Sequence, residues 1–226
     1  MPRIIVFDVN ETLLDLAALD PHFEQVFGDG AARKEWFARM LRSAFVATIT
    51  GTYRDFGTIG RVALEVTAQR RGVALSEEAR AQILGGMRML PPHPEVPASL
   101  ERLKAAGLRL AALTNSTGEV ADAQLTHAGL HPFFEQVLSV DAVRRLKPAR
   151  EVYLMAAERL GVSPQHLRLV AAHDWDITGA MRAGCAGAFV ARPGMVLDPL
   201  AERPDIVGPD LRVVAERILE IETMSG

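Results

Sequence analysis

Four short apolar runs, each stopping at a polar cluster, constrain this chain more than any other feature. Ile4-Ile5-Val6-Phe7 stops at Asp8, and Leu108 to Leu113 stops at Thr114-Asn115-Ser116. Leu167 to Ala171 leads to His173-Asp174, and Ala186 to Val190 ends near Arg192-Pro193. Apolar runs without alternation are what a strand needs when both of its faces are buried, as in a parallel sheet covered by helices. The amphipathic stretches Pro97 to Ala106, Glu119 to Ala128 and Glu151 to Leu160 lie between them, closed by Gly107, Gly129 and Gly161 at C-cap positions. Strand then helix, repeated, predicts an α/β fold built on a doubly wound parallel sheet.

From about Asp15 to Leu90 the pattern changes. Helical periodicity runs through His22 to Phe27, Ala31 to Thr48, Phe56 to Arg71 and Ser76 to Met87, with no strand signal. The cluster Pro91-Pro92-His93-Pro94 resets the backbone and marks a hinge. The expected organisation is a core domain of residues 1–14 and 91–226 with a helical cap domain, 15–90, inserted after the first strand.

Composition excludes several function classes. A formal net charge of −3 and the lack of any basic run give no field for a nucleic-acid backbone or an anionic membrane surface. No stretch approaches the roughly 20 apolar residues needed to span a bilayer. The single cysteine, Cys185, leaves no intrachain disulfide and too few thiolates for a structural zinc site. The opening segment is too short for a secretory signal, so the expected compartment is the cytoplasm.

Ligands of open parallel sheets bind beyond the carboxyl ends of the strands. Asp8, Thr114, Asn115, Lys147 and the cluster from His173 to Asp176 fall there by this rule. They offer a carboxylate nucleophile, hydroxyl and amide donors, a cation, and a second acid beside a histidine. That inventory suits nucleophilic catalysis through an aspartyl intermediate.

The segment from Phe7 to Leu13, Phe-Asp-Val-Asn-Glu-Thr-Leu, resembles the first motif of the haloacid dehalogenase superfamily. Leu113-Thr114-Asn115-Ser116 resembles the second, Lys147-Pro148 through Val152-Tyr153 the third, and Val170 through Ala180 the fourth. Order and spacing match over nearly the whole chain, and the helical insert stands where that family carries its cap. Most members are magnesium phosphatases, with a second aspartate two residues after the nucleophile and a metal-holding aspartate in the fourth motif. Asn10, which has no proton to exchange near neutral pH, and Ala172 occupy those places here. Losing both damages phosphoryl transfer, whereas a halide leaves as a stable anion without protonation.

The Lys147-Pro148 to Val152-Tyr153 spacing and the Trp175-Asp176 pair resemble the L-2-haloacid dehalogenase branch. The resemblance implies a small-molecule substrate, a short halogenated carboxylic acid, turned into a 2-hydroxy acid through an ester on Asp8, with no metal or other cofactor. Lys147 would be the counter-ion of Asp8, and Asp176 with His173 would position or deprotonate the attacking water. Thr12 and Thr114 would donate to the Asp8 carboxylate, the ester or the substrate, while Asn115 would turn its amide to the departing halide and Asn10 would border the substrate. Tyr153 reads equally as a neighbour of the nucleophile or as core, Asp174 as a helix cap, and Trp175 as packing that borders the substrate.

The branch usually has an arginine after a cap tryptophan; here Phe37 follows Trp36. Arg39 or Arg42 is therefore expected to meet the substrate carboxylate, with Phe37, Leu41, Phe45 and Tyr53 on the substrate side. Glu11 stands where glycine is usual. Families of this kind commonly dimerise through the cap, so a homodimer is one expectation. Three other readings stay open: another metal-independent hydrolase, a magnesium phosphatase, and a non-catalytic binder of a small carboxylate or a protein.

Overall fold

The computed structural model describes residues 2–223. Six parallel strands form one sheet in the order β3-β2-β1-β4-β5-β6. The first strand, β1 (Ile4–Phe7), lies between β2 (Leu110–Thr114) and β4 (Leu167–Ala171), with Val6 level with Ala111 on one side and Leu169 on the other. Every residue of these three strands is buried, which is why their sequences are apolar apart from Arg168 in β4 and Thr114 at the end of β2.

The strands at Ile4–Phe7, Leu167–Ala171 and Ala186–Val190 (β5) have the expected bounds, and the expected strand from Leu108 starts at Leu110. Two further strands, β3 (Gln136–Ser139) and β6 (Ile206–Gly208), carry no run of four apolar residues. Both are short edge strands, and three of the four β3 residues are only partly buried, so the sequence pattern that marks an inner strand is missing. Around the sheet lie α5 (Val96–Ala105), α6 (Gly118–His127), α7 (Arg150–Leu160), α8 (Asp174–Ala183) and α9 (Leu211–Thr223); α5 packs on α9 and α7 on α8.

Between β1 and α5 come four helices, α1 (Asp20–Phe27), α2 (Ala32–Ile49), α3 (Phe56–Arg70) and α4 (Glu77–Gly86). Asp55 and Ser76 cap α3 and α4, accepting from Thr58 N at 2.8 Å and Ala79 N at 3.1 Å. The Trp36 indole anchors α2 to α3 by donating to the Gly60 carbonyl at 2.9 Å. The two chain crossings run side by side: Asp15 N donates to the Pro91 carbonyl and His93 N to the Leu13 carbonyl, both at 2.9 Å. Among the described residues no helix is long and apolar enough to cross a membrane.

One glycine sets how closely α8 approaches the loop at Lys147. A Cβ on Gly179 would stand 2.6 Å from Pro148 Cβ and 2.7 Å from Tyr153 Oη. Only a residue without a side chain lets helix and loop meet at this distance.

Candidate active site

β1 ends at Asp8, whose backbone N donates to the Val170 carbonyl at 3.0 Å, so the carboxylate projects from the centre of the sheet at its carboxyl edge. Asp8 Oδ2 accepts from Thr12 Oγ1 at 2.7 Å and Oδ1 from Lys147 Nζ at 3.0 Å. The Thr12 hydroxyl also accepts from Ala172 N at 2.9 Å, which fixes its proton toward Asp8. Lys147 Nζ donates in addition to Asp176 Oδ2 at 2.7 Å, and Tyr153 Oη donates to Asp176 Oδ1 at 2.6 Å. Lys147 and Asp176 are fully buried, and Asp8 is 6% exposed.

The electrostatics follow from this geometry. Burial pushes the Lys147 ammonium down, but Asp176 and Asp8 outweigh it and hold the group above the usual lysine range. Burial pushes the Asp176 carboxyl up; Lys147 opposes the shift and Asp8 adds to it, so the net direction is upward. Tyr153 is driven far up by burial and then by the Asp176 charge, so it stays a donor. Two carboxylates share one ammonium, and each Asp8 oxygen keeps lone-pair capacity beyond the single bond it accepts.

Beside this centre opens a cavity of about 670 Å³, lined by Glu11, Arg33, Phe37, Leu41, His173, Asp174, Trp175 and others. Glu11 has a left-handed backbone, φ 63°, at a cost of about 1 kcal/mol for a residue with a Cβ. Its carboxylate oxygens stand 3.5 Å from Arg33 Nη1 and 3.5 Å from His173 Nε2. Burial raises the Glu11 carboxyl, with His173 and Arg33 only partly offsetting it. The His173 ring stacks on Trp175 at 5.0 Å and lies 6.2 Å from Phe37.

Asp8, Thr12, Lys147, Tyr153 and Asp176 thus form one bonded cluster, and Asn115 joins it by accepting from Lys147 N at 2.9 Å, with no hydrogen bond from its amide nitrogen among the described residues. Other expected residues lie differently. Thr114 makes no hydrogen bond to Asp8; its hydroxyl accepts from Ser116 N at 3.1 Å. Both ends of the Asn10 amide are taken, by Ser116 Oγ at 3.3 Å and Gln124 Nε2 at 3.0 Å, away from the cavity lining. Asp174 is the first residue of α8 and makes no side-chain cap. Tyr53 hydrogen-bonds Asp141, and Phe45 packs edge-on against Trp175 at 5.2 Å.

Arg39 corrects the expectation for the cap cation. Residues 33, 37 and 41 share one face of α2 and line the cavity; residue 39 is two positions from Phe37, turned away from that face, and pairs with Glu35 at 3.5 Å. The residues not anticipated as part of the site are Glu11 and Arg33. Their signal was present as a glutamate in a glycine's place and an arginine one helical turn before Phe37.

A family model for haloacid dehalogenase-like hydrolases matches residues 2–184. The chain is 32% identical over 225 residues to an (S)-2-haloacid dehalogenase of Pseudomonas sp. (strain YL), covering 98% of this chain and 95% of that protein. It is 30% identical to (S)-2-haloacid dehalogenase H-109 of Pseudomonas putida, covering 96% and 97%. A solved structure of the L-2-haloacid dehalogenase from Xanthobacter autotrophicus, with chloropropionic acid covalently bound, superimposes with a TM-score of 0.91 at 28% identity, covering 98% of this chain and all of that one. Sequence match, sheet order and the carboxylate at the tip of β1 agree: the chain belongs to the haloacid dehalogenase-like hydrolases.

Proposed function

We propose that the protein is a hydrolytic dehalogenase of short 2-haloacids. The observation that carries this reading is the Asp8 carboxylate held between Thr12 and Lys147 with lone pairs left for attack, three residues before Glu11, which lines a cavity large enough for a small acid. An Asp8 oxygen attacks C2 in line; the carbon–halogen bond breaks and the halide leaves with its electron pair, giving an ester with inverted C2. Water then adds to the ester carbonyl, the bond from Asp8 Cγ to the former attacking oxygen breaks, and the 2-hydroxy acid departs. The Lys147 ammonium and the Thr12 hydroxyl face the Asp8 oxygens and stabilise the negative charge that develops on them.

His173 is the base in this reading. Asp176 is fully buried between Lys147 and Tyr153 and so positions Lys147, while the His173 imidazole lines the cavity with Glu11 facing its Nε2. Nδ1 takes the proton of water, and Glu11 favours the imidazolium that forms. Asn115 turns its amide to the halide; Phe37 and Trp175 border the substrate. The helices of residues 15–90 act as the cap that keeps bulk water from the ester. A magnesium phosphatase fits less well, because the Lys147 ammonium supplies the positive charge between Asp8 and Asp176 and Asn10 is tied to Ser116 and Gln124.

The test is chloride release from S-2-chloropropionate in chelator, beside Asp8→Asn. The expected result is turnover by the wild type and a loss of about a thousandfold or more in the variant. Phosphate-ester hydrolysis that needs added magnesium, with no chloride released, would overturn the reading.

A further inference from the structure

Arg33 differs from every other buried cation here. Lys147 is held by Asp8 and Asp176, Arg168 by Asp205, Glu222 and the Gly187 carbonyl, and Arg192 by Glu95 and the Thr12 carbonyl. Arg33 is only 5% exposed, yet the one hydrogen bond of its side chain to the described residues runs from Nε to Asp20 Oδ1, at 2.5 Å. Its Nη1 stands 3.5 Å from Glu11 Oε1, an ion pair without a hydrogen bond. A guanidinium carries five N–H donors, and the Nη atoms of Arg33 are not among the sealed, unpartnered polar atoms of the described residues, so they keep access to the cavity. Those on the two Nη atoms have no hydrogen-bonded acceptor among the described residues, and the side chain lines the 670 Å³ cavity.

Its placement matches that chemistry. Arg33 lies one turn before Phe37 on the same face of α2, and its Nη1 stands against Glu11, three residues after Asp8, with both residues lining the cavity. A planar fork with open donors takes a carboxylate through two parallel hydrogen bonds. Arg39 pairs with Glu35, and neither Arg39 nor Arg42 lines the cavity. Of the other lining cations, Lys34 is exposed and Arg192 is engaged with Glu95 and Thr12.

We propose that Arg33 binds the carboxylate of the substrate and so determines specificity for 2-substituted acids, an inference that rests on the dehalogenase reading above. Glu11 and Asp20 neutralise much of its charge, so a ligand gains there mainly by completing the hydrogen bonds of the fork. The site therefore favours a carboxylate over a neutral amide of the same shape.

The experiment measures calorimetric binding of (R)-lactate, the product expected from inversion, and of (R)-lactamide, its neutral isostere, to the wild type, Arg33→Met and Arg33→Lys. The expected result is lactate binding weakened about tenfold in Arg33→Met and less in Arg33→Lys, with lactamide changed less than about twofold. The KM for S-2-chloropropionate should rise in step while kcat changes less. Equal weakening of both ligands, unchanged lactate binding in Arg33→Met, or no lactate binding by the wild type would overturn the proposal. If Arg33→Met does not fold, Arg33→Lys decides, because it keeps the charge and removes the fork. Lactate binding that depends on Arg33, without chloride release by the wild type, would sink the dehalogenase reading and leave the carboxylate site standing.

Discussion

At opposite ends of the sheet the protein buries a cation between two carboxylates, and only one of these clusters looks built for chemistry. At the lower end, Arg168 enters β4 and donates to Glu222 at 3.0 Å, to both oxygens of Asp205 at 2.5 and 2.9 Å, and to the Gly187 carbonyl. Arg3 adds bonds to Glu222, and the cluster ties the chain's start, β4 and α9 together. At the upper end, Lys147 holds Asp8 and Asp176 with one bond each. The lower cluster spends four guanidinium hydrogen bonds on two carboxylates and a carbonyl at the amino end of β4, whereas the upper one leaves lone pairs on Asp8 at the carboxyl ends of the strands. Burial of charge alone therefore does not mark a site: unused bonding capacity at the carboxyl ends of the strands does.

The sharpest way to break this contrast is Lys147→Met, which leaves Asp8 and Asp176 facing each other without a cation. The expected outcome is loss of chloride release by about a thousandfold and a stability loss of about 3–5 kcal/mol. Urea unfolding checks the second effect and halide release the first. Retained turnover in a folded variant would refute the role given to Lys147.

Arg168→Met tests the other end. It strands Glu222, which is almost fully buried, and Asp205, whose side chain is half exposed. A stability loss of about 3 kcal/mol is expected, at the lower end of the range for breaking a buried pair because Asp205 can turn to water. Chloride release at saturating substrate should stay within about twofold of the wild type. A large fall in kcat without a fall in stability would erase the distinction between the two clusters.

The upper cluster was far more legible in the sequence than its surroundings. Asp8, Lys147 and Asp176 stand at the ends of buried runs or in spaced motifs, and a strand that must be apolar on both faces announces where it stops. Strands β3 and β6 lie at the sheet edges; β3 is mostly half-buried and β6 has only three residues, so neither carries a long apolar run. Glu11 and Arg33 are 22 positions apart in sequence and meet only because the insert folds back over the strand ends. Arg39 failed as the expected cap cation for a simpler reason: an offset of two residues on a helix points to another side. Thr114 makes no bond to Asp8 because a residue at a strand end can serve its own turn, as its hydroxyl does by accepting from Ser116 N.

The smallest expected effect concerns acid. Burial pushes Asp205 and Glu222 up, but hydrogen bonds from Arg168, and from Arg3 to Glu222, more than offset this and hold both below the usual carboxylate range. A carboxyl lowered on folding adds stability that is present above its unfolded value and is lost as pH falls through its folded one. Asp176 and Glu11 shift the other way, so the native state binds their protons more readily than the unfolded chain, and acidification relieves them instead of unfolding the protein. Of the two clusters, it is the lower one whose stability is lost in acid. In urea unfolding between pH 7 and 3, the gap between wild type and Arg168→Met should narrow by about 1 kcal/mol below the usual carboxylate range, a figure that already discounts the half-exposed Asp205. A gap that stays constant across that range would mean that Arg168 stabilises by packing and neutral hydrogen bonds, and that the two buried cations differ in more than the position of their clusters in the sheet.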